Sequence, residues 1–233
     1  MRYWLMPERK FRLAAFGAFL SLAGCGDVSG PANDAAASKE TIERPVVIPG
    51  ERSTPAPPLT HELVRVRMET DMGPIVIELN GRRAPVTTSN FLRYVDAGRY
   101  DDIFFYRAAR TRGHAHRGFI QGGINRNYRR MFPPVAHEAT SETGLSHVEG
   151  AISMARSAPG AAMGEFFITS VAIPQMDAEG EDPGYATFGR VVEGMDVVRE
   201  ILALPTIPNA GRGAMRDQMI REPVRIISVR REE

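Results

Sequence analysis

The amino-acid sequence predicts a mainly β domain, built as a closed antiparallel barrel with α-helical caps. Many short runs alternate apolar and polar residues, which is the period of a half-buried strand. Helical spacing occurs in only two segments, one near each end of the domain. The long stretches of strands lack the crossover helices that a parallel sheet requires, so the pairing is expected to be antiparallel.

The predicted strands begin with two runs joined by a glycine-containing turn at 71–73. Their alternating apolar residues are Val64, Val66 and Met68 in the first run and Ile75, Ile77 and Leu79 in the second. Five further strand-like runs lie at 103–106, 150–154, 166–170, 187–191 and 224–229.

The two predicted helices have recognisable boundaries. The first begins at Pro85, since proline is favoured in the first turn, and ends before Gly98. The second spans residues 195–202. Apolar residues at helical spacing should face the core: Phe91, Tyr94 and Val95 in the first helix, and Met195, Val198, Ile201 and Leu202 in the second.

Residues 1–24 have the pattern of a secretory signal peptide. A basic start is followed by an apolar stretch at 13–22 and by the small residues Ala23 and Gly24. The alternative is a membrane-spanning helix, which needs about 20 apolar residues. The chain becomes polar and turn-forming directly after Cys25, and this favours the signal peptide.

Cys25 is the only cysteine of the chain, so internal disulfides and multi-cysteine metal sites are excluded. The run Leu22-Ala23-Gly24-Cys25 resembles a bacterial lipobox and predicts lipidation at Cys25; the alternative is a chance cysteine beside an ordinary cleavage site. Several acyl chains, at about 0.8 kcal/mol per buried methylene, would anchor the protein to a membrane. We therefore expect an exported, periplasm-facing lipoprotein of the bacterial cell envelope, and Gly26 favours the outer membrane over the inner.

Residues 25–61 are rich in Pro, Ala and Ser and lack a sustained apolar period, which predicts a tether. A short edge strand at 46–48 is the alternative. The folded domain is expected at 62–233.

Charge and motif content exclude several functions. The formal net charge is +1, so nucleic acid is not an expected partner despite the many arginines between 107 and 130. Phosphate-loop, dinucleotide and zinc-protease signatures are absent. His114 and His116 lack a third ligand nearby, and His137-Glu138 lacks a second histidine. No metal and no cofactor are predicted.

Five segments carry a family resemblance when they are taken in order: F-F-Y-R at 104–107, G-F-I-Q-G-G at 118–123, G-A-I-S-M-A-R at 150–156, G-E-F-F-I at 164–168 and Y-A-T-F-G-R-V-V-E-G-M-D-V-V at 185–198. From about residue 64 to 229 the chain resembles the cyclophilin family of peptidyl-prolyl cis–trans isomerases. The resemblance implies an eight-stranded barrel with two capping helices, a proline pocket on one outer face, and a monomer.

The resemblance also implies roles for single residues. Arg107 and Gln121 match the family's catalytic arginine and glutamine. Ala155 and Arg156 fall where its backbone holds the peptide that precedes proline. The pocket is implied to be formed by Phe167 as floor, Met176 as wall, Tyr185 on the rim, and Phe119 in place of an apolar pair.

Several positions depart from the family pattern. Tyr106 replaces a histidine, Glu165 replaces a glutamine, and Gln175 occupies a tryptophan position, which puts cyclosporin binding in doubt. The loop between Arg107 and Gln121 is longer than is usual. The implied function is isomerisation of the peptide bond before proline (X–Pro) in exported proteins, which makes proline-containing polypeptides the partners. The alternative is a catalytically weak module that binds proline-containing segments.

Overall fold

The predicted barrel is present in the computed structural model, which describes residues 59–232 except 61 and 126. The predicted signal peptide, Cys25 and nearly all of the tether lie outside the described residues. Eight antiparallel strands close in the order β1-β2-β7-β5-β6-β4-β3-β8, which confirms the predicted fold class. The strands are β1 (Leu63–Thr70), β2 (Gly73–Asn80), β3 (Ile103–Arg110), β4 (Gly118–Gly123), β5 (Ala151–Met154), β6 (Glu165–Thr169), β7 (Thr187–Glu193) and β8 (Met219–Arg231).

Two strands differ from their sequence-based predictions. β4 was recognised as a motif but not as a strand, because its three glycines hide the alternation. β8 has 13 residues and starts well before the predicted 224. It starts earlier because its first part pairs with β3, while its last residues pair with β1.

The two predicted helices are α1 (Pro85–Asp96) and α3 (Met195–Ala203). A one-turn helix, α2 (Thr140–Thr143), was not predicted, since four residues are too few to show a helical period. No side chain of its own end caps α1. Instead Glu138 accepts hydrogen bonds from the backbone N–H groups of Val86 (3.0 Å) and Thr87 (2.7 Å). A carboxylate there satisfies free N–H donors and complements the helix dipole.

Aromatic side chains form the part of the core that packs around α1. The α1 residue Phe91 is fully buried and lies 4.9 Å from Tyr100, 5.3 Å from Phe188 and 5.6 Å from Phe166 between ring centroids. Phe105 of β3 also packs against Phe166, with ring centroids 5.9 Å apart. These five side chains form what we call the interior cluster, which links α1 to three strands.

The long β3–β4 connection forms an exposed hairpin turn at 111–117. Its base is fixed to the end of α3, because the Arg110 guanidinium donates to the carbonyl oxygens of Leu202 (2.8 Å) and Leu204 (2.7 Å). The Ser170 hydroxyl donates to the carbonyl of His116 at 2.9 Å. The extra residues therefore extend the hairpin toward α3.

Residues 59–232, with the two gaps at 61 and 126, contain no helix with the length and apolarity to span a bilayer. Within the same residues, no three His, Cys, Asp or Glu side chains converge as metal ligands. Glu138 caps α1, and His137 Nε2 lies 3.0 Å from the carbonyl of Pro183.

Candidate active site

Three predicted site residues lie in one row across adjacent strands. Arg107 of β3 is the cross-strand partner of Gln121 in β4, and Gln121 is the partner of Phe167 in β6. Direct partners in an antiparallel sheet point to the same face. Their neighbours Ile120 and Ile168 are fully buried in the interior. The row therefore lies on the outer face of the barrel.

A β-bulge at Tyr106 brings Arg107 to this face. Upstream of it Ile103 and Phe105 point inward, and strict alternation would turn Arg107 inward as well. The register of β3 shifts between Phe105 and Arg107 against both of its neighbouring strands. Because the extra residue reverses the alternation, Arg107 points outward and Ala108 inward.

The Arg107 guanidinium is held by three acceptors. Nη1 donates to Gln121 Oε1 (2.8 Å), Nε donates to Gln218 Oε1 (2.8 Å) and Nη2 donates to the carbonyl of Ala214 (3.2 Å). Burial lowers the pKa of Arg107 below its ordinary value, and nearby Tyr106 opposes that shift. A guanidinium has five N–H donors, so two remain that no described residue takes.

An arc of aromatic and cationic contacts continues from Arg107 across the face. The guanidinium carbon of Arg107 lies 5.0 Å from the Phe119 ring, and Phe119 lies 5.2 Å from Phe167. Tyr185 stands edge-on to Phe167 at 5.4 Å, and Arg156 lies 5.0 Å from Tyr185. We call these five side chains the outer arc, and all five were predicted as site residues.

The remaining predicted residues lie beside the outer arc. Met176 is half-buried in a 3₁₀ turn (Pro174–Met176), and its carbonyl accepts from the backbone N–H of Tyr185 at 2.9 Å. Ala155 follows β5 directly, and its N–H donates to the carbonyl of Glu165 at 2.9 Å. Arg156 also donates to the carbonyl of Gly184. Gln175 is exposed.

The chain is similar to proteins of one known family. Residues 65–231 match the family described as cyclophilin type peptidyl-prolyl cis-trans isomerase/CLD. The chain belongs to the cyclophilin family. It is therefore a peptidyl-prolyl cis–trans isomerase, an enzyme that interconverts the two forms of the peptide bond before proline.

Curated relatives and solved structures give the extent of the similarity. A peptidyl-prolyl cis-trans isomerase of Acinetobacter baylyi is 35% identical over 168 residues, covering 70% of this chain and 83% of that protein. Peptidyl-prolyl cis-trans isomerase B of Escherichia coli is 36% identical over 172 residues, covering 70% and 97%. A Cryptosporidium parvum cyclophilin solved in the presence of the dipeptide Ala-Pro has a TM-score of 0.59 at 20% identity, covering 72% of this chain and 99% of that one. This structural likeness shows the fold.

The two departures nearest Arg107 contact each other in this cyclophilin. The Tyr106 hydroxyl donates to Glu165 Oε2 at 2.6 Å and accepts from Gln121 Nε2 at 2.8 Å. Burial raises the pKa of Tyr106 well above its ordinary value, and the charge of Glu165 raises it further. Tyr106 therefore keeps its proton.

A buried histidine beneath Phe167 was not found from the sequence. His147 has a fully buried side chain and lies parallel to the Phe167 ring, with centroids 5.8 Å apart. Its Nδ1 donates to Asp177 Oδ1 at 2.5 Å, and its Nε2 lies 3.2 Å from Thr187 Oγ1. Burial lowers the pKa of His147, while the hydrogen bond and charge of Asp177 oppose that shift.

His147 connects Phe167 to the turn that carries Met176. Its backbone N–H also donates to Asp177, at 2.9 Å, and its carbonyl accepts from Ile173 at 2.8 Å. The only sequence clue to the contact between His147 and Asp177 is that Asp177 directly follows Met176, a predicted site residue. The contact of Gln218 with Arg107 could not be predicted from the sequence, because Gln218 lies in an irregular segment 111 positions from Arg107.

Proposed function

We propose that this cyclophilin isomerises X–Pro bonds in exported polypeptides, as a folding catalyst anchored to the bacterial envelope through Cys25. The position of Arg107 is the main observation that supports isomerase activity at this site. Its guanidinium adjoins the apolar side of the outer arc, where Phe119 and Phe167 lie 5.2 Å apart. A proline ring resting on these rings would bring its nitrogen near the guanidinium.

The reaction requires amide resonance to be broken, against a barrier of about 18–20 kcal/mol. As the bond twists, the prolyl nitrogen regains a lone pair that the planar amide lacks. One of the two remaining N–H groups of Arg107 would donate to that lone pair. This interaction exists only in the twisted state, so it lowers the barrier without tightening substrate binding.

Arg107 does not supply the whole acceleration. A hydrogen bond from a charged donor contributes about 1.5–3 kcal/mol, while a thousandfold acceleration needs about 4 kcal/mol. We assign the difference to Phe119, Phe167 and Met176, which would grip the proline ring while the preceding carbonyl rotates. Gln121 would steer that carbonyl through its second amide N–H.

The peptide that precedes proline would lie along the end of β5. Ala155 lies there beside Arg156 of the outer arc, and Tyr185 stands between Arg156 and Phe167. The Ala-Pro dipeptide used with the Cryptosporidium cyclophilin supports a proline-containing substrate of this kind. We expect the protein to act as a monomer, which sedimentation of the full chain would test.

A protease-coupled isomerisation assay on the full chain tests the catalytic role of Arg107. Arg107→Ala should lower kcat/KM by about 10- to 150-fold, which corresponds to one charged hydrogen bond. Arg117→Ala is a matched control, since Arg117 is exposed on the hairpin turn. Equal activity of wild type and Arg107→Ala would contradict the assignment.

The alternative function, a module that binds proline-containing segments without useful turnover, has one observation in its favour. Three N–H groups of Arg107 are already engaged by Gln121, Gln218 and Ala214. Measurable affinity for an Ala-Pro peptide, with no acceleration by wild type or Arg107→Ala, would favour the module. Acceleration by wild type alone favours the enzyme.

Mass spectrometry of the mature N-terminus tests the anchor. The lipobox-like sequence predicts that Cys25 is the first residue and carries acyl chains, so wild type should fractionate with membranes. Cys25→Ser should abolish acylation and release the protein into the soluble periplasmic fraction. An unmodified Cys25 in wild type would contradict the lipid anchor, and recovery with the inner membrane would contradict the outer-membrane location.

The proposed role in folding has its own test. Refolding of an exported protein limited by proline isomerisation takes tens of seconds or longer without a catalyst. Catalytic amounts of the full chain should accelerate that slow phase, and Arg107→Ala should not. Acceleration of short peptides but not of the refolding protein would contradict the folding role while leaving the isomerase assignment in place.

A further inference from the structure

A chain of hydrogen bonds runs from Glu165 to the candidate catalytic arginine. Tyr106 donates to Glu165 Oε2 at 2.6 Å and accepts from Gln121 Nε2 at 2.8 Å. Gln121 Oε1 then accepts from Arg107 Nη1 at 2.8 Å. The mechanism proposed above uses Arg107 and Gln121 but gives no role to Tyr106 or Glu165.

The chemistry of the two ends fixes the direction of every hydrogen bond in this chain. A guanidinium only donates, so Gln121 has to turn its carbonyl oxygen toward Arg107 and its NH₂ group toward Tyr106. The Tyr106 oxygen then accepts, and its own proton has to go to another acceptor. An ionised carboxylate is acceptor-only, and Glu165 supplies one at that position.

The strand beside Glu165 leaves room for this carboxylate. Gly123 is the cross-strand partner of Glu165. A Cβ added to Gly123 would lie 2.6 Å from Glu165 Oε2 and 2.8 Å from Glu165 Cα, and its φ of +146° favours glycine. Tyr106 is 9% exposed, so water gives its hydroxyl little alternative to Glu165 and Gln121.

We propose that Tyr106 and Glu165 are positioning residues, which hold the Gln121 amide in the one orientation that presents its second N–H to the substrate carbonyl. This inference rests on the proposed isomerase site. Tyr106 and Glu165, the two departures from the family pattern, would then act together on the orientation of Gln121.

Without an acceptor at position 165, the Tyr106 hydroxyl would have to donate its hydrogen bond to another group. The hydroxyl would turn to Gln121 and require the amide oxygen as its acceptor. The amide would then have to rotate and place its NH₂ group against the guanidinium, where two donors face each other. Removal of the Tyr106 hydroxyl eliminates this conflict, so the effect of Glu165 should depend on Tyr106.

A double-mutant cycle in the full chain tests this dependence. Glu165→Ala should lower kcat/KM about tenfold, mainly through kcat, because the substrate carbonyl loses its donor as it rotates. Glu165→Gln should stay within about twofold of wild type, since an amide oxygen also accepts from Tyr106. In a Tyr106→Phe background, Glu165→Ala should change kcat/KM by less than about twofold.

A second readout does not depend on turnover. The side-chain NH₂ resonances of Gln121 in ¹⁵N NMR spectra should move in Glu165→Ala and keep their positions in Glu165→Gln. Unchanged resonances in Glu165→Ala would overturn the inference whether or not the protein is active. A wild type without isomerase activity would instead contradict the proposed function, and the resonances would still decide the inference.

Two kinetic results would also overturn it. One is a Glu165→Gln variant as impaired as Glu165→Ala. The other is a Glu165→Ala effect of equal size with and without the Tyr106 hydroxyl, which would mean that Glu165 acts through other contacts. Near-UV circular dichroism verifies folding, and Glu165→Leu, which keeps the side-chain volume, replaces Glu165→Ala if that variant does not fold.

Discussion

The interior cluster and the outer arc lie on opposite faces of the barrel wall, and strand β6 contributes one phenylalanine to each. Phe166 and Phe167 are neighbours in β6, and because side chains alternate along a strand, one enters the core and the other the site. Phe166 packs against Phe91, Tyr100 and Phe105. Phe167 contacts Phe119, His147 and Tyr185.

The difference lies in what covers each ring. Helix α1 closes the interior cluster, and all five of its side chains are fully buried. The outer arc is partly open to solvent, since Phe119 and Tyr185 remain half-buried, although Phe167 itself is only 3% exposed. We infer that the interior ring contributes to stability alone, whereas the outer ring also contributes to substrate binding. The first two of the following predictions test that division directly.

The largest effect should come from the interior ring. Phe166→Ala removes a fully buried ring from the centre of its cluster and should lower the free energy of unfolding by about 3–5 kcal/mol. Urea unfolding measures this loss, and Phe166→Leu should lose much less. A strong loss of kcat/KM per folded molecule would contradict the division.

Phe167→Ala should weaken substrate binding as well as stability, because the Phe167 ring is only 3% exposed and also belongs to the outer arc. The proline ring would lose its floor, so we expect KM to rise by about tenfold, the effect of about 1.4 kcal/mol of lost apolar contact. Phe104 is the matched control, since it lies on the outer face of β3, away from the outer arc, and is 43% exposed. Phe104→Ala should leave KM and kcat unchanged. An unchanged KM in Phe167→Ala would contradict the role of the outer arc.

His147 should make the floor of the site sensitive to acid. Its pKa in the folded protein is below the ordinary value of 6.5, so the unfolded chain takes up a proton at a higher pH than the folded one. Stability should therefore fall as pH decreases below about 6.5, by at most about 1.4 kcal/mol per pH unit for one proton.

Urea unfolding between about pH 7.5 and about pH 5.5 measures this effect. His147→Gln should remove part of the pH dependence, while His114→Gln, at an exposed position on the hairpin turn, should not. Identical pH profiles for wild type and His147→Gln would contradict a neutral, buried His147.

The smallest effect should come from the hairpin turn. Replacement of residues 112–116 by a short glycine-containing turn should leave kcat/KM within about twofold of wild type, because the base of the hairpin is fixed to α3 through Arg110. The isomerisation assay measures this. A large rise in activity would mean that the extra residues obstruct the site.

Local patterns were enough to predict much of the fold. Alternation identified β1 and β2, and helical spacing placed Phe91, Tyr94 and Val95 on the buried side of α1. The bulge at Tyr106 could not be predicted, because it depends on the register that β3 adopts against both neighbours. Without the bulge, simple alternation would have turned Arg107 into the barrel.

The residues of the candidate site could be predicted where they lie within the sequence motifs. The motifs contain all five residues of the outer arc, and the structure brings those residues together. The supporting contacts join distant positions, such as His147 with Asp177 and Arg107 with Gln218. Such pairs depend on how the chain closes into a barrel, and a single sequence does not reveal them.

A structure of the full chain with a bound Ala-Pro peptide tests the central claim most directly. We expect the proline ring to rest on Phe167 and Phe119, with a free Arg107 N–H directed toward the prolyl nitrogen, where it can donate once the bond twists. A proline ring bound away from Phe167, or an Arg107 with no N–H directed at the peptide, would contradict the account.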